Sequence, residues 1–241
     1  MKNNAIKSQL ISLALETTGR IGSVAIGIDG NLSDEKTFSA PLRHNAELFD
    51  AINLLLNEIG KTANQTQQVF ISIGPGSFTG IRISVTLAKM MALAADCKIV
   101  AVNTSDAMAL NIEDDCINKI ATVIDAKRGQ FFIAVFKRNN NSWEKILSDC
   151  MLTPEQFKEI FDNEKIYLLG EGLLYYAKKF ETENIKILNE KFWSPKASNV
   201  FKLGTQMASE GKFVDPVELV PLYIRRPEAE ENLEKQKNSE P

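Results

Sequence analysis

The chain repeats its own punctuation, and that repetition limits what it can fold into more than any single motif does. LALETTGRIGSVAIGI at 13–28 sets an apolar strand, an acid, an arginine–glycine turn and a second apolar strand in order. ATVIDAKRGQFFIAVF at 121–136 sets the same four parts in the same order. FISIGPGSFTG at 70–80 and YLLGEGLLYYA at 167–177 each run from an apolar strand through Gly-x-Gly into a helical pattern.

The elements between these landmarks also correspond. In the first half, strands are expected at 10–16 and 22–29, with a weakly alternating edge strand over 31–40. Leu48, Phe49, Ile52, Leu55, Leu56 and Ile59 then give an amphipathic helix that Gly60 closes. A strand at 69–74, a helix at 79–96 and a strand at 98–102 complete the set. After Thr104-Ser105 come strands at 121–126, 130–137 and 142–152, with NNN at 139–141 as a hairpin turn. A helix from Pro154 to Phe161, a strand at 167–170, a helix at 173–180, a short strand at 185–188 and a helix at 197–211 follow. Three strands, helix, strand, helix, strand, twice over, predicts an α/β fold: a duplicated RNase H-like, two-lobed fold on the plan of actin, Hsp70 and the sugar kinases, with mixed sheets flanked by helices. The expected division is a lobe over 1–104, a second over 105–225, and a charged tail over 226–241 that lacks apolar periodicity and is expected to be disordered.

Composition narrows the function. A net charge of −3 and a pI of about 5.4 argue against a protein that grips nucleic acid through a basic face of its own. Cys97, Cys116 and Cys150 are far apart and form no C-x-x-C pair, so reduced core thiols are expected rather than disulfides or a zinc site. The apolar run near the N-terminus stops at Glu16, too soon for a membrane span, and a cytoplasmic protein is expected. There is one histidine, His44. An H-x-x-x-H metal site needs two, and any serine or cysteine triad would have to take His44 as its base.

ISIGPGSFTGIRIS, residues 71–84, fits none of the familiar catalytic loops. A P-loop fails because the next glycine after Gly74 in range is Gly80, one residue late and followed by Ile81. The dinucleotide fingerprint begins at Gly74 and Gly76 but meets Thr79 in third place. A nucleophile elbow at Ser77 would need glycines where Pro75 and Thr79 stand. Two readings stay open: an anion site built on a helix N-terminus, or a plain strand-to-helix turn. Glu16, Gly74, Gly76, Ser77, Asp125 and Arg128 are the candidate anion or turn residues.

The helix after this loop carries Gly80, Ser84, Ala88 and Ala92 at every fourth position, a ridge of small side chains that lets another backbone come close. Apolar residues cover much of its other side, so it needs cover on several faces, supplied by its own fold or by another protein. No catalytic residue and no metal ligand is assigned.

GPGSFTGIRISVTLAKMMA, LALETTGRIGSVAI, VIDAKRGQFFIAVF and PLYIRRPEAE, in this order, resemble the TsaB family over roughly residues 10–230. The resemblance implies a bacterial subunit for threonylcarbamoyladenosine synthesis in tRNA, without chemistry or cofactor of its own. It implies pairing with TsaD, the transferase subunit that carries a metal-binding histidine pair, and association with the ATPase TsaE, ATP being used by the complex. Contact with tRNA would come mainly through that complex. Pairing would use helices corresponding to residues 44–60 and 79–95, with Leu48, Ile52, Leu55, Gly80, Ser84, Ala88 and Ala92 at the interface; on this reading Ala88→Glu abolishes pairing and leaves the chain folded. The same helices could pair two copies of the free chain. DAKRG departs from the family's frequent D-A-R-R-G, and the lysine loses the bidentate fork. The alternatives are a phosphotransferase using the inter-lobe cleft and, less well supported, a peptidase.

Overall fold

The computed structural model describes residues 9–40, 44–140 and 142–225. The expected tail over 226–241 and the last asparagine of the 139–141 turn lie outside the described residues, as does the side chain of His44. Two five-stranded mixed sheets form the molecule. The first holds β1 (Ile11–Glu16), β2 (Ser23–Ile28), β3 (Asn31–Thr37), β4 (Gln68–Ser72) and β5 (Lys98–Val102), in the order β3-β2-β1-β4-β5. The second holds β6 (Lys119–Asp125), β7 (Phe131–Asn139), β8 (Ser142–Leu152), β9 (Ile166–Leu169) and β10 (Ile185–Ile187), in the order β10-β9-β6-β7-β8. Read from the opposite edge, the second order is the first again. In each sheet the first three strands are antiparallel and the last two join in parallel. This is the duplicated RNase H-like fold.

Alternation along β1 decides how the first sheet is covered. Leu13 and Leu15 face one side, where α1 (His44–Glu58) and α2 (Phe78–Ala95) bring Leu48, Leu55 and Val85 against them. Ala14 and Ala25 face the other, beside Phe70 and Val100, and there α6 (Ala197–Ser209) inserts Val200 and Phe201. The residues on that side are small because an aromatic ring arrives close by. A side chain on Gly27 would stand 2.2 Å from the Phe201 ring, and one on Gly204 would stand 2.3 Å from the Phe70 ring.

Packing therefore departs from sequence order. Residues 197–209 follow the second sheet in the chain but cover β1, β2, β4 and β5 of the first. Beyond them Val214 bridges Ile99, and the Leu222 amide donates to the Ile73 carbonyl at 2.8 Å. A cut at 104/105 separates the two sheets but leaves the first without its back layer.

The second sheet has its own aromatic core. Phe131 meets Phe180 edge-on at 5.0 Å, and Phe157 of α4 (Pro154–Phe161) meets Phe180 at 5.9 Å. The helix expected over 173–180 is a 3-10 turn at Glu171–Leu173 followed by one helical turn, α5 (Ala177–Phe180). Gly172 lies flat on the backbone of Val123–Asp125, where an added Cβ would meet the Asp125 nitrogen at 2.9 Å, so the segment follows the end of β6 before it can coil. One helix was not expected from the sequence: α3 (Thr104–Ala109), capped by the Asn103 side chain, which accepts from the Ser105 and Asp106 amides.

Candidate functional site

Each lobe turns from its first strand into its second at the mouth of one cleft, and each turn is organised by the acid that ends the first strand. Glu16 is fully buried. One carboxyl oxygen accepts from the Thr18 amide at 2.6 Å, the Thr18 hydroxyl at 2.6 Å and the Gly19 amide at 3.3 Å; the other is bonded to the Ser72 hydroxyl. Burial pushes its pKa up, against the pull of these hydrogen bonds. Asp125 does the corresponding work in the open: its carboxylate accepts from the Lys127 amide at 2.7 Å and the Lys127 ammonium at 2.8 Å. Both acids cap their own turns.

The glycine-rich loop closes on the first of those turns. The Ser77 amide donates to the Thr18 carbonyl at 2.8 Å, the Thr17 hydroxyl to the Gly80 carbonyl at 2.6 Å, and the Gly80 amide to the Ser77 hydroxyl at 3.2 Å, which caps α2. A Cβ on Gly80 would stand 1.8 Å from the Thr17 carbonyl oxygen, and one on Gly76 2.7 Å from that of Thr18. Gly74 lies under Leu222. These glycines admit neighbouring backbone, and the Ser77 and Gly80 amides are taken up by the Thr18 carbonyl and the Ser77 hydroxyl.

The cleft between the lobes has a volume of about 950 Å³. The Thr18–Arg20 turn and residues 75–79 form one wall; the Asp125–Arg128 turn with Tyr175 and Tyr176 forms the other. Residues 222–225 close a third side. There the Arg225 guanidinium donates to the Ala126 carbonyl and the Gln130 side chain of the second lobe, while Leu222 is bonded to the first. The Arg20 amide donates to Glu171 at 2.6 Å, and burial raises the pKa of that carboxyl. Tyr175, Tyr223 and Arg20 were not singled out in the sequence, and Lys127 only as a departure from the family's turn. The Arg–Gly turns and the YIRR end were the signal available, but only packing shows that they meet.

Among the described residues no group of three or more His, Cys, Asp or Glu is placed to hold a metal ion. Cys97 is buried, with its thiol pushed up to about 11 by burial, whereas Cys116 is exposed and Cys150 half-buried, so one of the three is a core thiol.

The expected interface residues lie mostly inside the chain's own fold. Leu48, Ile52, Leu55, Ser84 and Ala88 are buried in the chain's own core, Gly80 is buried, and Ala92 is half-buried. The small ridge of α2 seats the helix on its own lobe: Gly80 against Thr17, and the Ser84 hydroxyl donating to the Ser72 carbonyl at 3.1 Å. What the helix pair leaves outside is a different apolar set, with Phe49 56% exposed, Leu54 50%, Met90 58% and Leu93 91%. Helix α2 is also long and apolar enough to cross a membrane, but here it packs on β4 and β5.

Comparison with known proteins adds the family. The chain is similar to tRNA threonylcarbamoyladenosine biosynthesis protein TsaB of Escherichia coli (strain K12), at 25% identity over 88% of this chain and 94% of that protein. It is similar to the protein of the same name from Bacillus subtilis (strain 168), at 26% over 90% and 95%. Among solved structures, YeaZ from Pseudomonas aeruginosa superposes with a TM-score of 0.77 at 22% identity, covering 89% of this chain and 99% of that one, which confirms the fold. Residues 39–232 match the family model described as TsaD, tRNA N6-adenosine threonylcarbamoyltransferase, and the chain belongs to that family.

Proposed function

We propose that the chain is the TsaB-type, non-catalytic subunit of threonylcarbamoyladenosine synthesis in tRNA, binding and supporting a TsaD partner, with TsaE as the associated ATPase and the cytoplasm as its place of work. The observation that carries this reading is the exposed apolar side chains of α1 and α2, in a chain whose curated relatives are named for this biosynthesis. Leu93 and Met90 stand out from α2, and Phe49 and Leu54 from α1. Exposed apolar side chains gathered on a helix pair mark a protein-binding surface. The same face suits self-pairing when the partner is missing. A single histidine cannot supply an H-x-x-x-H pair, which supports a supporting role rather than the transfer itself.

The test is product formation in a mixture of tRNA, threonylcarbamoyl-AMP, ATP, TsaD, TsaE and this chain, omitting one protein at a time. Product should need TsaD and this chain together, and this chain alone should make none. Met90→Glu with Leu93→Glu should weaken pairing with TsaD by about thirtyfold or more, the loss expected for central interface anchors, and leave the melting temperature unchanged because both side chains are already in solvent. Ala88→Glu, by contrast, should unfold the chain. Normal pairing by the double variant would remove the α1–α2 face from the interface.

A further inference from the structure

The inter-lobe cleft has a lining that a pure scaffold does not need. Its rim carries aromatic rings on both lobes. Tyr175 is 80% exposed where it meets the cleft. On the opposite side Phe78 and Tyr223 stack with centroids 5.2 Å apart and planes 30° apart. Arg82 holds that pair in place: its guanidinium sits 3.8 Å over the Phe78 ring, and its Nε donates to the Tyr223 hydroxyl at 3.0 Å. Fixed rings at the edge of a cavity are stacking platforms for flat heterocycles.

The rim is also cationic, although the chain as a whole is acidic. Arg20, Lys127 and Arg128 are exposed at the cleft. Lys127, Arg128 and Gly129 adopt φ of +65°, +57° and +74° in succession, a conformation that non-glycine side chains rarely take. Asp125 and Arg225 hold the turn in that shape from either side. Two adjacent side chains kept in an unfavourable backbone conformation by their surroundings point to use of those side chains. Deeper in, the cleft offers less to a phosphate, because the Ser77 amide is bonded to the Thr18 carbonyl and the Gly80 amide to the Ser77 hydroxyl. Cations at the rim and a loop turned in on itself suit a phosphodiester strand crossing the mouth better than a polyphosphate seated in the floor.

We infer that the cleft takes an unpaired nucleotide of an RNA strand, its base laid against Tyr175 or the Phe78–Tyr223 pair and its flanking phosphates on Arg20, Lys127 and Arg128. This rests on the reading of the chain as a subunit acting on tRNA, and adds to it a direct contact with that substrate. Asp125 and Glu171 share the lining, and Lys127 must leave Asp125 to reach a phosphate, so the contact is a local one within a larger assembly.

The experiment is fluorescence anisotropy of a labelled single-stranded RNA heptamer, and of tRNA, with the full chain alone and with TsaD present. Tyr175→Ala should weaken binding about fivefold or more, the loss of one stacked base. Lys127→Ala with Arg128→Ala should weaken it for all sequences and lower the salt dependence by about one phosphate contact per cation removed. Unchanged melting curves are expected for both variants. Equal binding by wild type and variants, or no binding by wild type in either setting, overturns the inference. So does displacement of the heptamer by AMP or ATP at concentrations below those at which the RNA itself binds, which would make the cleft a mononucleotide site. The omission assay separates the two levels: product that needs this chain but is indifferent to the variants removes the RNA contact and leaves the subunit role standing, whereas product formed without the chain removes the subunit role itself.

Discussion

Glu16 shows how one residue can look catalytic and be architectural. It is an acid that ends a first strand beside the cleft, yet its carboxyl is fully buried and bonded to Thr18, Gly19 and Ser72. Because burial raises its pKa above 4.5, the folded chain holds the proton to higher pH than the unfolded chain does. As pH rises from 4.5 toward the raised value, the unfolded chain ionises first, and stability falls across that window. Glu16→Gln mimics the protonated acid: its oxygen still accepts from Thr18 and Gly19, and its amide can donate to Ser72. Denaturant titrations from acid to neutral pH should show this variant at least as stable as wild type at neutral pH, with the slope flattened. Glu16→Ala orphans several buried donors and should cost about 3 kcal/mol. A glutamine variant with the wild-type slope would mean that Glu16 does not titrate in this window.

At the scale of elements, strand–turn–strand pairs were legible because short apolar runs on either side of a glycine- and arginine-containing turn allow few other readings, and α1 and α6 were legible from their apolar periodicity. Periodicity says which residues of a helix are covered, but not by what. The four-residue ridge Gly80–Ser84–Ala88–Ala92 correctly signals close approach; the backbone that approaches is the chain's own, at Thr17 and Ser72. The apolar side chains this helix leaves exposed are instead Met90 and Leu93, which the ridge pattern did not mark. The helix expected at 173–180 fails for a related reason, since the contact of Gly172 with β6 is invisible in one dimension. Helix α6 carries the strongest consequence. Val200 and Phe201 are buried against the first sheet although they follow the second in sequence. Val200→Asp places an unpaired charge there and should lower stability by about 3–5 kcal/mol, with hydrogen exchange accelerating most in β1 and β4, the strands it packs on. Acceleration confined to the second sheet would contradict the packing described.

Two sheets with two cores would ordinarily suggest two unfolding units, but the way the chain is threaded argues for one. The first sheet lacks a back layer until α6 arrives from beyond the second, and the Ala197 amide already donates to the Ser23 hydroxyl at 2.8 Å. Residues 222–225 then tie both lobes at the cleft, with Leu222 bonded to Ile73 and Arg225 to Ala126 and Gln130. The lobe-to-lobe bond from Arg20 to Glu171 lies along the same seam. Losing either lobe therefore breaks bonds and removes the packing of α3 (on α6 and on β6) that the other relies on, which favours all-or-none behaviour. Calorimetry should show one transition whose van't Hoff and calorimetric enthalpies agree. Arg225→Ala removes charge-assisted hydrogen bonds across the cleft, each worth about 1.5–3 kcal/mol when well buried and less for a half-exposed group such as this. It should lower the single transition without splitting it, because α3, packed on α6 and on β6, still joins the lobes. Its clearest local sign should be faster exchange at the Ala126 and Gln130 amides, which close the Lys127–Arg128 turn. Two resolved transitions in the wild-type chain would mean that the lobes are independent units, and the cleft between them could then not be treated as one preformed site.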